Sequence, residues 1–569
     1  MINSNLRRVL FATASFAVLG GCGANDIASP GTGGNVTINN VTPAPAPTPT
    51  PTPTPTVSLV TPATGCPTIA DSQGLADQGT ITGPTGTYRV CAMPARLVRS
   101  STLTRIPGVL YQLPGRVDVG YDNGPTALSA TNTRTVTQPN GTPLTLTADS
   151  NVTLTINPGV IIYANTGTSW LNINRGNRIN ATGTATQPII FTSRDNILGL
   201  NTDTSSGQWG GVVLSGRAQI TDCAASNATP GTIACERQTE GAVDPALFGG
   251  ATNNDNSGRM SFVQIRFSGF VLSANSELQA LTTEGIGDQT ILDHIQSFNS
   301  SDDAAEFFGG RVNMRFYIAV GAEDDNIDTD TGIKGNFQYV IAIQRAGSAA
   351  AGADTIIEAD SDNAVDGDLP RQNVIVSNFT FIDRAPNATL GQASILIRGG
   401  ADYTLVNGVL TSNPLNPCLR LSRAQTASLV ANPAIDELGA PVFRSVQMQC
   451  STTPFVGTSG PTAADVMNIF GPGTNNNSIT YTPTLVSQYI NGANETAVAA
   501  FNASNLHAAS GIPSGTGGLG GQTAFFDATT YVGAVRDAND TWYTQWTCNS
   551  TTAMFGTGNS GLCTSIPTA

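Results

Sequence analysis

The sequence predicts an all-β chain built as a parallel β-helix, a solenoid of stacked coils closed by an N-terminal and a C-terminal cap. Three observations carry this. From Asn151 onward, short apolar strands separated by Gly, Asn, Thr and Asp recur at a period of 17: Leu154 to Leu171, Gly159 to Gly176, Ile162 to Ile179, Ala164 to Ala181. A second register of 22 follows, placing Ile295 over Tyr317 over Tyr339 and Gly310 over Gly332. Such self-similarity marks coils that stack on their predecessors, whereas an antiparallel sandwich or barrel needs no fixed period. Composition agrees: 61 Gly and 33 Pro among 569 residues, with only 12% charged, leave little material for long helices.

The elements follow in chain order. Residues 1–21 carry Arg7 and Arg8, an apolar run from Val9 to Leu19 and the small residues Gly20 and Gly21, the pattern of an export signal. Leu19-Gly20-Gly21-Cys22 resembles the bacterial lipobox, so Cys22 is expected to become an acylated first residue. Gly23 rather than Asp after that cysteine points to the outer membrane, with the chain facing the surface or the periplasm. Residues 22–60 form the lipidated linker, in which the Pro/Thr stretch from Pro43 to Thr56 acts as a semi-rigid spacer of roughly 40 Å at about 3.1 Å per residue. The N-terminal cap region is expected over 61–150, the β-helix over 151–421, and a C-terminal cap over 422–569 with short helices at Thr484–Asn491 and Glu495–Asn502. Caps are needed because an open solenoid end exposes unpaired strand edges.

Without Cys22 eight cysteines remain, an even number in an exported chain. Their order suggests the local pairs Cys66–Cys91, Cys223–Cys235, Cys418–Cys450 and Cys548–Cys563, although eight cysteines formally allow 105 connectivities. No C-x-x-C occurs, which argues against zinc clusters and a thioredoxin-like redox role.

Charge narrows the function. Lys plus Arg number 26 against 40 Asp plus Glu, a net charge of −14, which argues against nucleic acid and anionic lipid surfaces and suits a cation or cationic partner. Lys334 is the only lysine, His294 and His507 are the only histidines, and there is no G-x-S-x-G turn, so a Ser-His-Asp hydrolase is disfavoured.

Several segments are similar to a large, mostly uncharacterised family of bacterial envelope lipoproteins. They include Ile156-Asn157-Pro158-Gly159-Val160-Ile161-Ile162-Tyr163, the run Gly183 to Ser193, Trp209-Gly210-Gly211-Val212-Val213, Ser301-Asp302-Asp303, Glu306-Phe307-Phe308-Gly309-Gly310, Asp324 to Asp330, and Tyr531-Val532-Gly533-Ala534 with Trp542 and Trp546. The resemblance spans about Asn151 to Trp546. It implies a right-handed parallel β-helix and an envelope location, but no agreed activity.

Candidate chemistry lies in the 22-residue register. It sets Asp302 and Asp303 beside Asp324 and Asp325, and Glu306 beside Asp328, with Asp330 extending the ladder. Glu358, Asp360, Asp362, Asp366 and Asp368 are candidates to join from a later coil. Parallel strands lie about 4.8 Å apart. Two carboxylates at that spacing repel by about 3 kcal/mol at an effective dielectric near 20. A hard cation such as calcium would relieve this; the alternative is a solvated acidic turn whose carboxylates bond their own turn amides.

Calcium on a β-helix also suggests a polysaccharide lyase, with Lys334, Arg311 or Arg315 as the base. Against it, the lysine of the resembling family falls where this chain has Asn336, and Lys334 can simply screen the acidic face. His294, inside an apparent strand, reads as a packed histidine. Trp209, Trp542 and Trp546 are candidates for sugar stacking or for core packing, and Asn299 for a turn bonded to backbone. Three readings are ordered accordingly: a non-catalytic binding or accessory lipoprotein for glycan or nutrient capture, working beside an outer-membrane transporter; a calcium-dependent lyase or other polysaccharide-degrading enzyme; and a structural adhesin.

Overall fold

Alternation along four-residue strands sets the architecture. In Ala305-Glu306-Phe307-Phe308, the side chains of Ala305 and Phe307 enter the core while Glu306 points the other way. Repeated coil after coil, this gives stacked apolar columns: Val117 pairs with Leu171, Leu171 with Val212 and Val212 with Leu281. Further on, Ile327, Ile357, Ile395, Leu419 and Phe455 continue in register.

The structure is a computed structural model and describes residues 59–568 apart from 274–275, 347–354, 362–364, 387–392, 511 and 513–524. Cys22, the signal segment and the Pro/Thr-rich linker lie outside the described residues. Two long sheets enclose one continuous apolar core. One has eleven short strands; the other has fifteen and contains the long strands Gly258–Arg266, Ile291–Phe298, Arg311–Val320, Lys334–Ile343, Asn373–Ile382, Asp402–Thr411 and Val442–Gln449. Pairing between successive coils is parallel in both, and the fifteen-stranded sheet begins with one antiparallel pair, Ala76–Gly83 on Gly86–Ala92. The fold is therefore an all-β parallel β-helix.

The expected periods need correction. The 17-residue step does not stack coils: Leu154 pairs with Ile179 and Ile162 with Phe191, whereas Leu171 lies in the other sheet. It instead measures a strand-turn-strand unit repeated around one coil, and Gly159 and Gly176 sit in equivalent turns, both at φ +75°. The 22-residue step holds for Ile295 over Tyr317, but Tyr317 pairs with Val340, one residue beyond Tyr339. Likewise Arg311 pairs with Lys334, so Gly310 does not lie over Gly332.

Boundaries shift as well. Parallel stacking starts with Gly86–Ala92 on Val109–Leu113, inside the expected N-terminal cap, and ends with Phe455–Thr458, beyond residue 421. A helix at Ala463–Phe470, not anticipated, is opened by a capping box between Thr462 and Asp465. It packs Phe470 onto Phe443 and Phe455 of the last coil, with ring centroids 5.3 and 5.5 Å apart. The expected helices at 484–491 and 495–502 reduce to one turn, Ala493–Thr496.

Every long strand contains one residue left out of the pairing register and held at positive φ. These are Phe262, His294, Phe316, Tyr339, Asn378, Asn407 and Ser445, with φ between 50 and 63°. A non-glycine residue in this region costs about 1–2 kcal/mol, so the column needs compensation. It comes from stacking: Phe262 on His294, His294 on Phe316 and Phe316 on Tyr339, at 4.2, 4.4 and 4.9 Å between centroids.

Further compensation comes from the last segment of the chain, which is not an end cap but a strap running back along this sheet. Ser445 donates to the Ala499 carbonyl, Asn407 exchanges two bonds with the backbone of Phe501, and Asn378 donates to the Tyr531 and Gly533 carbonyls. Trp542 then meets Phe316, and Trp546 meets His294 edge-on at 5.6 Å. Gln296 exchanges bonds with Cys548, and Arg266 donates to the Cys563 and Ser565 carbonyls. All four local disulfides form; Cys548–Cys563 closes a loop within the strap, whose Cys563 carbonyl accepts from Arg266.

Candidate metal centre

The centre is built on two turns and the short strands that follow them. Ser301-Asp302-Asp303 leads into Ala305–Phe308, and Glu323-Asp324-Asp325 leads into Ile327–Asp330. Because Ile327 and Thr329 point inward, Asp328 and Asp330 point outward, and parallel pairing sets Glu306 against Asp328 and Asp328 against Glu358.

Two groups of three carboxylates result. Asp302, Asp303 and Asp324 each bring an oxygen within 4.8 Å of the others, and so do Asp303, Glu306 and Asp328, with Asp303 common to both. Asp303 and Glu306 are buried, while Asp302, Asp324 and Asp328 are half-buried and open towards solvent.

Of the seven expected ligands, five meet here. Asp325 takes a structural role, its Oδ1 accepting the Thr355 N–H at 2.8 Å and the Thr355 hydroxyl at 2.5 Å. Its own N–H donates to Asp303 Oδ1 at 2.8 Å, so the turns are tied coil to coil. Asp330 Oδ1 accepts the N–H of Thr331. Glu358 and Asp360 are paired with Arg398, Asp366 with Arg423, and Asp362 lies outside the described residues.

Two carboxylates were missed by the sequence reading. Glu240, from the insertion over residues 216–257, and Glu277, from the strand Ser276–Glu277, add negative charge beside Asp302. Neither obeys the coil register, so no spacing could have flagged them.

Burial and mutual repulsion push these groups upward in pKa. Burial first, then Asp324, raises Asp302 to about 8. Burial and Glu358 raise Asp324 to about 6, and burial and Asp360 raise Asp330 to about 7. Asp303, Glu306 and Asp328 lie well above the usual carboxylate range, through burial and then the neighbouring carboxylates. At neutral pH the cluster must therefore hold protons or a cation.

The expected bases lie elsewhere. Lys334 Nζ pairs with Asp436 at 2.6 Å, Arg311 lies 3.8 Å from Asp288, and Arg315 stacks over Phe525 and reaches Asp527 under the strap. His294 is packed between two phenylalanine rings, with Nδ1 2.8 Å from Asp293 Oδ1. Of the two readings for the tryptophans, packing holds for Trp209 and Trp546, which are fully buried; Trp542 is half-buried, its ring N–H donating to the Ala534 carbonyl within the strap. Asn299 donates to the Asp203 carbonyl.

Among known families, the chain matches the one described as a pectate-lyase like beta helix domain, over residues 131–485, more than half of its length. No curated protein and no solved structure matches it.

Proposed function

The chain belongs to the pectate-lyase-like β-helix family, and from that premise we propose a non-catalytic binding protein that captures glycan through a divalent cation, calcium by its chemistry. The protein is anchored by lipid on Cys22 in the outer membrane and serves a transporter there. The carrying observation is the paired carboxylate triads on the outward side of the short-strand sheet. Calcium takes six to eight oxygen ligands, and coordination positions that the protein leaves open accept carboxylate or hydroxyl oxygens of a sugar.

The family match also favours a lyase reading, in which the cation neutralises a uronate and a base removes the neighbouring proton. Two arginines act on this face: Arg398, held by both Glu358 and Asp360, and Arg237, paired with Asp222. Lys334, Arg311 and Arg315 are engaged with other partners. This favours capture over cleavage.

A glycan-binding screen on the full chain, with calcium and with chelator, tests the proposal. Calcium-dependent retention of an acidic glycan without release of unsaturated sugar is the expected result. Unsaturated product would replace it with the lyase, and no retention under either condition would overturn the glycan assignment. Cys22→Ala should abolish detergent-phase partitioning; a wild-type chain that stays in the aqueous phase would overturn the anchor.

A further inference from the structure

A cavity of different chemistry lies on the same sheet face, four coils towards the N-terminus. Asp118, Asn172, Val213, Thr282 and Glu306 stand in one pairing column. At about 4.8 Å per step, Asp118 is roughly 20 Å from Glu306. Over Asp118 opens a cavity of about 470 Å³, floored by Arg96, Arg116 and Asp118 and walled by a hairpin at Gln138 and by the insertion at Asp244. That volume is typical of small-ligand pockets. The floor residues precede the family match over residues 131–485.

The floor is fixed before any ligand arrives. Asp118 accepts bonds from Arg96 at 2.9 Å, from Arg116 at 2.9 and 3.0 Å, and from Asn172 and Asn174 of the next coil at 2.8 and 3.2 Å. Arg116 lies 4.7 Å over the buried Trp170 ring and donates to the Asp244 carbonyl. Arg96 lies over Tyr121 and donates to the Gly120 carbonyl. Side chains locked in this way suit a binding site. The hairpin wall, by contrast, gives the core nothing. Its strands Arg134–Thr137 and Pro143–Leu146 pair only with each other, contain no buried residue and are tethered by Arg134 to Asp122. A lone two-stranded hairpin adds little stability, yet the end of this one closes the cavity.

In a chain of net charge −14 this cavity is balanced, Arg96 and Arg116 standing against Asp118 and Asp244. Balance disfavours a ligand of high net charge. Trp170 and Tyr121 beneath it are buried, so neither offers a face to a nucleobase. Donors and acceptors both remain open on the lining: Arg96 Nε–H, the Thr137 hydroxyl, and the amide oxygens of Gln73 and Gln138. The Nε2 groups of these two glutamines are already spent, on the Arg96 carbonyl and the Thr142 hydroxyl. A sugar hydroxyl both donates and accepts, which matches such a mixture. Ala95, Pro139 and Pro245 add apolar surface for the carbon face of a ring. We propose that the cavity is a neutral-sugar subsite, which holds one ring of a glycan without any metal.

The subsite goes beyond the cation-binding reading above, and chelator separates the two. Calorimetry of the full chain in chelator, with neutral gluco-, galacto- and manno-oligosaccharides as probes and oligogalacturonate beside them, tests it. At least one neutral probe should bind, and more tightly than oligogalacturonate. Arg96→Ala should weaken that binding about tenfold or more and Gln138→Ala about threefold or more, while Asp324→Asn should leave it unchanged. No neutral probe bound in chelator, tighter binding of oligogalacturonate, or binding lost with Asp324→Asn overturns the subsite; calcium-dependent capture then still stands. Should Arg96→Ala fail to fold, Gln138→Ala on the coreless hairpin decides, and unchanged affinity there overturns the assignment. Neutral binding in chelator with no uptake of calcium keeps the subsite and overturns the cation reading.

Discussion

The outer faces of the two sheets solve the same problem in opposite ways. On the long-strand sheet, a column of residues at positive φ is costly by itself, but the chain's own last segment covers it and meets Asn378, Asn407 and Ser445 with backbone partners. On the short-strand sheet, Glu306, Asp328 and Glu358 stand in one column, and the arginines that act on this face are committed to other carboxylates, Arg398 to Glu358 and Asp360 and Arg237 to Asp222. One face is satisfied by the chain itself; on the other, protons or a cation must offset the crowded carboxylates. Local conflict of this sort is expected where a protein binds something.

The comparison can be broken by mutation. Trp546→Ala should give the largest loss, about 3–5 kcal/mol, because it removes the strap's fully buried ring from its contact with His294 and Phe262. Chemical denaturation measures it, and calcium should not rescue it. Replacing both Cys548 and Cys563 with Ala should cost about 3 kcal/mol, the closure entropy of a loop near 15 residues. That loss too should be independent of calcium.

The acidic face should respond to pH and calcium instead. Carboxylates with raised pKa stabilise the fold fully below the unfolded value near 4 and lose that contribution as pH rises through the folded values, about 6 for Asp324 and about 8 for Asp302. The melting temperature of the metal-free protein should fall across this window. Calcium at a hundred times its Kd should add about 2.7 kcal/mol per site, most visibly at the upper end of the window, where protons no longer compete. Smallest of all, Lys334→Ala should cost about 1 kcal/mol or less, since its partner Asp436 is largely exposed, and should leave glycan retention unchanged.

What the sequence revealed follows the range of each interaction. The inward pair Ile295 over Tyr317 was legible because alternation is local. The 17-residue repeat was visible but belonged to turns like those at Gly159 and Gly176, because insertions such as residues 216–257 change coil length while pairing persists. The strap was not legible at all: Arg266 meets Cys563 and Ser565 almost three hundred residues away, with no periodicity to announce it. At the metal centre, the single 22-residue step placed Glu306 against Asp328 correctly. It could not show that Thr355 would draw Asp325 away, nor that Glu240 and Glu277 would approach from irregular segments.

Hydrogen exchange of the full chain, with calcium and with chelator, tests the contrast between the faces most directly. Calcium should slow exchange at the Asp325 and Thr355 amides, which donate to Asp303 and Asp325, and leave the strap amides of Gly533 and Cys548 unchanged. No change at the acidic turns, or an equal change in the strap, would contradict the claim that the short-strand face is the one built to take up a cation.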